Sequence, residues 1–216
     1  MQIFDAANLS DDDFNQILEF LREGGVIGFP TDTAYGLGAD ASNESAVRRI
    51  FEIKGRPERK PILLLVDSLV MAARIARMSK LARTLARRLW PGPLTMVLPA
   101  MSVVSETLTA GTGGIGVRWP DAPFASRLVG AFGKPVTATS ANLSGMPAAA
   151  SADEVRTQLE GQLEMLVDGG TLPAPGGSSV LDFTQKPPVL LREGPVSFQR
   201  LSELLGGKIR RSVDPE

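Results

Sequence analysis

The stretch SDDDFNQILEFLREGGVIGFP, residues 10–30, is the most informative about the fold, because it sets a capped amphipathic helix directly before a buried strand. Ser10 followed by three aspartates is typical of a helix start, where acids meet the positive end of the helix dipole. Apolar residues recur at helical spacing over residues 14–21, and Gly24-Gly25 predicts the end of the helix. The apolar run 26–30 then predicts a short buried strand.

The same alternation of helix and strand patterns continues along the chain. Further strands are predicted at residues 62–66, 95–99, 115–119, 136–139, 163–167, 180–183 and 189–192. Further helices are predicted at 46–54, 68–77, 79–90, 123–132, after a capping box at 151–154, and at 197–205. We find no repeat or linker. We therefore expect one α/β domain over residues 1–216, with a core at about 10–205 and a twisted mixed β-sheet flanked by helices.

The composition excludes several classes of chemistry. The 216 residues include no cysteine and no histidine, which rules out disulfides, zinc thiolate sites, cysteine nucleophiles and imidazole bases. The net charge of −1 gives no overall attraction to nucleic acid or membrane. The N-terminus lacks a signal-peptide pattern, and no apolar run approaches the ~20 residues that a membrane helix needs. We expect a cytoplasmic protein with no membrane partner and no metal site of its own.

Two short polar segments far apart in the chain together suit a polyanion. Residues 54–61, KGRPERKP, place four cations within seven residues of a loop stiffened by prolines. Residues 139–145, TSANLSG, place hydroxyls and an amide at the end of a strand. The alternatives are a solvated surface loop for the first segment and a structural turn for the second.

Further candidates lie near strand ends. Residues 30–38, PTDTAYGLG, alternate threonines with an acid, which fits either a small polar ligand or a locally capped turn. Arg118 lies inside an apolar strand, so it meets either a structural carboxylate or an anion in a cleft, and we favour the cleft. Residues 176–179, GGSS, can present backbone N–H groups to an anion. Residues 111–116, GTGGIG, precede a strand and do not open a helix, so we expect a flexible loop there and no dinucleotide site.

One region is strongly basic although the chain is neutral overall. Six bases and no acid occur between residues 74 and 88: Arg74, Arg77, Lys80, Arg83, Arg87 and Arg88. They occupy helical positions among alanines and leucines. This pattern indicates either a solvated helix face or a surface that contacts RNA.

The joint order of these segments resembles the YrdC-like family of threonylcarbamoyl-AMP synthases, in its short single-domain form. The resemblance covers residues 20–200. The matching segments are PTDTAYGL at 30–37, KGRP through KP at 54–61, PGPLT at 91–95, VR at 117–118, SANLSG at 140–145, SSVLD at 178–182 and REG at 192–194. Small departures are Ala34, where valine is usual, and Ser179, where threonine is usual.

The resemblance implies a nucleotidyltransferase reaction. L-threonine, bicarbonate or CO2, and ATP give threonylcarbamoyl-adenylate and pyrophosphate, with Mg2+ carried on the nucleotide. Partner proteins then move the threonylcarbamoyl group to an adenosine of tRNA. Direct binding of tRNA or double-stranded RNA stays open.

The resemblance also implies the site residues. A tetrad at the nucleotide corresponds to Lys54, Arg56, Ser140 and Asn142, and Arg192 belongs to the ATP site. The threonine site corresponds to Thr31, Arg118 and Ser178.

Two other functions remain open from the sequence. The first is an RNA-binding protein of the same fold that lacks this activity and uses the basic helical face and the cationic loop. The second is a related ATP-dependent carbamoyl-transfer enzyme that acts on a different amine.

Overall fold

The computed structural model describes residues 1–56, 60–172 and 176–212. The strands are β1 Gln2–Asp5, β2 Ile27–Pro30, β3 Tyr35–Gly38, β4 Leu64–Leu65, β5 Leu94–Pro99, β6 Gly114–Arg118, β7 Val136–Thr137, β8 Thr139–Ser140, β9 Met165–Asp168, β10 Ser179–Asp182, β11 Val189–Arg192 and β12 Arg210–Arg211. The helices are α1 Asp11–Arg22, α2 Glu44–Lys54, α3 Leu69–Ile75, α4 Lys80–Leu89, α5 Glu106–Thr109, α6 Pro123–Phe132, α7 Ala152–Gln158 and α8 Phe198–Leu204.

The strands form two sheets, each with parallel and antiparallel pairs. The first sheet has the order β1-β9-β2-β3-β8, and the second has the order β12-β11-β10-β5-β6-β4-β7. The predicted mixed α/β architecture is confirmed. The structure divides between two sheets the strands that the sequence analysis had assigned to one central sheet.

Helix α1 shows why the opening stretch was informative. The Ser10 hydroxyl accepts from the Asp13 N–H, and the Asp13 side chain accepts from the Ser10 N–H, which completes a capping box. The predicted apolar stripe is buried, and the Phe14 ring meets Phe124 of α6 edge-on at 6.2 Å. The capped helix thus packs its apolar face directly into the core.

The chain changes sheets within the segment that was predicted as one strand, residues 136–139. Strand β7 pairs with β4 in the second sheet, whereas β8 pairs with β3 in the first. The residue between them, Ala138, donates its N–H to Leu63 O at 3.0 Å. Hydrophobicity cannot reveal this switch, because the residues up to Thr139 are buried on both sides of it.

Other differences concern local elements. Strand β3, in the segment interpreted as a ligand turn or capped loop, is buried between β2 and β8. The strand predicted at residues 115–119 is confirmed as β6, which begins at Gly114, so the flexible loop predicted at 111–116 is wrong for residues 114–116. Strands β1 and β12 and the short helix α5 were not predicted. Among the described residues we find no helix with the length and apolar character that crossing a membrane requires.

The cationic segment begins in a helix. Lys54 is the last residue of α2, and Gly55 ends the helix in the left-handed conformation, with φ of 56°. Residues 57–59 of the predicted loop, including the cation Arg59, lie outside the described residues.

Candidate active site

A cavity of about 290 Å³ lies where the two sheets meet. Its wall includes β3 and β8 from the first sheet and residues of β4, β6 and β11 from the second. Six of the eight predicted site residues line it: Thr31, Arg56, Arg118, Ser140, Ser178 and Arg192. The fold therefore gathers side chains from six separate segments into one concave site.

The other two predicted residues, Lys54 and Asn142, lie outside the lining of this cavity and are bonded to each other. Lys54 Nζ donates to Asn142 O at 2.8 Å, to Asn142 Oδ1 at 3.1 Å and to Ser140 O. Asn142 Nδ2 donates onward to Leu143 O at 2.9 Å and Met146 O at 2.6 Å. Both side chains are buried, so this network fixes the 140–146 loop from behind and presents Ser140 to the cavity.

The charge of Lys54 is under opposing influences. Burial in the first place, and the neighbouring guanidinium of Arg56 in the second, lower the pKa of Lys54 to about 7. The three oxygen atoms around Nζ need three N–H donors, which only the ammonium form supplies, so these contacts favour the charged form. Lys54 is thus a buried group with a charge that responds to pH near neutrality.

Arg56 reaches the cavity with part of its guanidinium unsatisfied. Nη1 donates to Thr139 Oγ1 at 3.3 Å, and Nη2 donates to Pro61 O at 3.1 Å. Its Nε is buried and has no hydrogen-bond partner within the described part of the chain. Burial lowers the pKa of Arg56. Each Nη atom has a second N–H bond without a partner among the described residues, and a phosphate oxygen can accept from it.

Arg118 satisfies both interpretations drawn from the sequence, since it lines the cavity and also meets a structural carboxylate. Nη2 donates to Asp32 Oδ1, Nη1 donates to Thr33 Oγ1 at 2.6 Å, and Nε donates to Gly92 O at 3.1 Å. The side chain of Arg118 is only 4% exposed. Burial lowers the pKa of Arg118, the Asp32 carboxylate opposes that shift, and the charge of Arg192 adds to it.

Arg192 clamps the glycine-rich loop that carries Ser178. Its Nε and Nη2 donate to Ser178 O at 3.0 and 2.8 Å. The Ser178 hydroxyl shares a 2.7 Å hydrogen bond with Thr95 Oγ1. A Cβ at Gly194 would lie 2.8–2.9 Å from backbone atoms of residues 177–179, so the two segments touch only because residue 194 is glycine.

Thr31 closes a local turn beside the cavity. Its hydroxyl donates to Ala34 O at 2.6 Å and accepts from the N–H of Ala34 at 3.2 Å. The locally capped turn that the sequence left open is therefore present, and the same turn lines the cavity.

The sequence analysis did not single out several contributors. Thr33 and Thr139 line the cavity, and Asp32 and Thr95 hold lining side chains in place. Each of these residues lies inside a motif quoted above, and that position is the only indication of its role in the sequence. Their roles depend on partners 83–86 residues away in the same chain, and no local pattern indicates these partners.

A second groove continues the cavity along the second sheet. Its volume is about 350 Å³, and it shares with the cavity Pro61, Leu63, Ser178 and Arg192. Its further walls include apolar side chains of Val97, Val180 and Leu191. The combined site thus joins a chamber with three arginines to an apolar shelf, a combination that suits a small anion linked to an aromatic base.

Comparison with known proteins identifies relatives over most of the chain. Residues 19–194 match the Sua5_yciO_yrdC family model, described as telomere recombination. The chain is 42% identical over 188 residues to the threonylcarbamoyl-AMP synthase of Pyrococcus abyssi, covering 87% of this chain and 55% of that protein. It is 37% identical over 208 residues to that of Bacillus subtilis, covering 95% of this chain and 60% of that protein.

A solved structure supports the same relationship. The crystal structure of P. abyssi Sua5 complexed with L-threonine superimposes with a TM-score of 0.94 at 38% identity, over 98% of this chain and 63% of that one. The chain therefore spans a little over half the length of these relatives, and the match covers nearly all of the fold described above.

Proposed function

Since the chain belongs to the Sua5/YciO/YrdC family, we propose that it is an L-threonylcarbamoyladenylate synthase. In this proposal L-threonine, bicarbonate or CO2, and ATP give threonylcarbamoyl-AMP and pyrophosphate. The product serves the modification of tRNA through partner proteins in the cytoplasm. The name and the bound threonine of the P. abyssi relative support this choice of amino acid.

The observation that carries the proposal is the convergence of Arg56, Arg118 and Arg192 on one small cavity. Three guanidinium groups at one wall strongly favour a ligand with several negative charges. The described residues that line the cavity include no carboxylate, and Asp32, which pairs with Arg118 from outside the lining, balances one of the three charges. Such a chamber suits a triphosphate beside an amino-acid carboxylate.

Each residue then has a role in the proposal. Arg56 takes the phosphates through its Nη atoms, and Arg192 steadies the nucleotide at the entrance to the apolar groove, where the adenosine lies. Arg118 pairs with the threonine carboxylate. Ser140, Ser178 and Thr31 supply neutral hydrogen bonds, and Lys54 with Asn142 holds the loop that presents Ser140.

The chemistry needs no imidazole base. The neutral amine of threonine attacks CO2, and loss of a proton leaves an anionic carbamate. A carbamate oxygen then bonds to the α-phosphorus of ATP while the bond to pyrophosphate breaks. A cavity lined by arginines favours the neutral amine and the anionic carbamate over the ammonium form, and it stabilises charge on the transferring phosphoryl group. Mg2+ is proposed to arrive on the nucleotide, and among the described residues no acidic cluster of metal-binding size occurs.

The test is pyrophosphate release by the purified protein with ATP, Mg2+, bicarbonate and one amino acid at a time. We expect release that requires both L-threonine and bicarbonate. Arg56→Ala should lower the rate by about 10²–10³. Arg49→Ala, which removes an exposed arginine from helix α2 just before Arg56, is the matched control and should act like wild type. Release with another amine would instead support a related carbamoyl-transfer enzyme, and no release would refute the proposal.

One observation favours a second function, direct contact with RNA. In α1, α2, α7 and α8 every arginine pairs with a carboxylate of its own helix. The six bases between residues 74 and 88 are all exposed, and none of them pairs with a carboxylate in the described residues. These bases lie in α3, in α4 and, for Arg77, in the connection between them, and a surface that lacks paired acids retains its positive field, which attracts a phosphate backbone.

This second candidate has its own test, binding of a tRNA transcript at increasing salt. The triple variant Arg77→Gln, Arg87→Gln, Arg88→Gln should flatten the dependence of log K on log salt by roughly two to three units. A control of equal charge change is Arg22→Gln, Arg156→Gln, Arg200→Gln, drawn from paired arginines. Equal losses of tRNA affinity in both triple variants would refute a specific RNA-binding surface.

A further inference from the structure

Arg118 has a fixed number of donors, and the structure shows which are already used. A guanidinium carries five N–H bonds. Three of them are engaged, with Asp32, Thr33 and the backbone oxygen of Gly92. Two N–H bonds, one on each Nη atom, are left without a partner among the described residues. One free N–H bond on each Nη atom is the number of donors that the two oxygens of one carboxylate can accept.

Asp32 is dedicated to this arginine. Its Oδ1 accepts from Arg118, and its Oδ2 is buried without a hydrogen-bond partner in the described part of the chain. Its side chain is 15% exposed, so solvent compensates it only weakly. Burying a carboxylate that has only one hydrogen-bond partner costs folding free energy. Such a cost is typical of a group that is kept for function.

Residues 32 and 33 accept hydrogen bonds from different Nη atoms of Arg118. Asp32 takes Nη2 and Thr33 takes Nη1, and the two residues are adjacent in the turn between β2 and β3. Together with Gly92 at Nε, they fix the position and the plane of the guanidinium. Arg118 cannot rotate without breaking one of the three bonds.

We propose that Asp32 is a positioning residue that orients the guanidinium of Arg118 so that its two remaining N–H bonds receive the carboxylate of the amino-acid substrate. This inference rests on the proposed function, since it concerns how the same site recognises threonine. Asp32 itself does not contact the substrate. Because it also carries a negative charge, its effect has two opposing parts: orientation of Arg118 and competition for it.

The experiment compares Asp32→Asn with wild type in steady-state pyrophosphate release. If orientation dominates, the KM for L-threonine rises by about 10–100-fold while the KM for ATP stays within about twofold. Thr33→Val, which removes the Nη1 contact and keeps the charge pair, should shift the same KM in the same direction by less. Asp121→Asn, an exposed carboxylate outside the cavity, is the matched control and should leave both constants unchanged.

A binding measurement separates positioning from general damage. Wild type should bind L-threonine about 10–100-fold more tightly than L-threoninamide, which lacks the carboxylate charge. Asp32→Asn should lose most of that preference. A lower threonine KM in Asp32→Asn, an unchanged preference, or an equal rise in the KM for ATP would each overturn the inference. Wild-type protein that binds no threonine would overturn the proposed function and this inference with it.

Discussion

Replacing Gly194 with alanine should damage the site without altering any side chain that lines it. The new Cβ would lie 2.8 Å from the backbone nitrogen of Ser179 and 2.9 Å from both Gly177 O and Ser178 C. All three are backbone atoms, so no side-chain rotation can relieve the overlap, and one segment must move by several tenths of an ångström. The moving segments carry Arg192 and Ser178, which the two hydrogen bonds of the Arg192 clamp hold together.

The expected magnitudes follow from this overlap. Crowding of a well-packed region lowers the free energy of unfolding by about 1–3 kcal/mol. A displacement of catalytic groups by a fraction of an ångström should lower kcat/KM by about 10–100-fold. The measurements are urea denaturation and pyrophosphate release with threonine, ATP and bicarbonate.

The control is Gly130→Ala in helix α6. There the nearest atom to a new Cβ is Asp67 Oδ2 at 4.0 Å, so the space is open. Alanine at an exposed helical position should raise the free energy of unfolding by about 0.5–1 kcal/mol and leave activity unchanged. Wild-type stability and activity in Gly194→Ala would refute the reasoning that close backbone approach builds this wall of the cavity.

Two further predictions concern buried titratable groups. Lys54→Met should lower the free energy of unfolding by about 2–4 kcal/mol, because three oxygens lose their donor. The pKa of Lys54 is about 7 in the folded protein and 10.5 in its ordinary state, so between these pH values the unfolded chain binds more protons than the folded protein. The free energy of unfolding of the wild type should therefore rise with pH from about 7 to 10.5. This rise should be absent in Lys54→Met. Tyr35 is the one tyrosine in the chain, and burial is the main cause that raises its pKa to about 12 from 10.0. Its phenolate absorbance should therefore appear near pH 12, and the stability that it contributes should be intact below pH 10 and lost as the pH approaches 12. A phenolate midpoint near pH 10 in the folded protein would contradict that burial.

Local patterns predicted most of the helices and strands because their causes are local. Helix α6 runs over Pro123–Phe132 as its opening proline and closing Gly133 indicated, and β11 covers Val189–Arg192 as its apolar run indicated. Strand β3 was missed because its two glycines are unusual in strands, and only pairing with β2 and β8 makes it a strand.

The residue types at the site were also visible in the sequence. Six of the eight predicted residues reached one cavity, since the motifs that carry them end strands or open loops at the junction of the sheets. Whether all eight act as proposed stays a prediction for the variants above. The sequence could not show that Arg56 lines the cavity whereas Lys54 lies behind it. Helix α2 ends at Lys54, and the geometry of that helix end decides the direction in which each side chain points.

The sequence by itself determined the kind of chemistry: with no histidine or cysteine, and with cations near hydroxyls, the chain is suited to binding anions through arginine and neutral donors. Only the tertiary structure decided which arginine faces which partner. The sheet switch at Ala138, the Asp32–Arg118 pair and the contact at Gly194 all join residues distant in the chain. Such contacts arise from strand pairing and from the meeting of the two sheets, and nothing in either partner's local sequence encodes the distance between them.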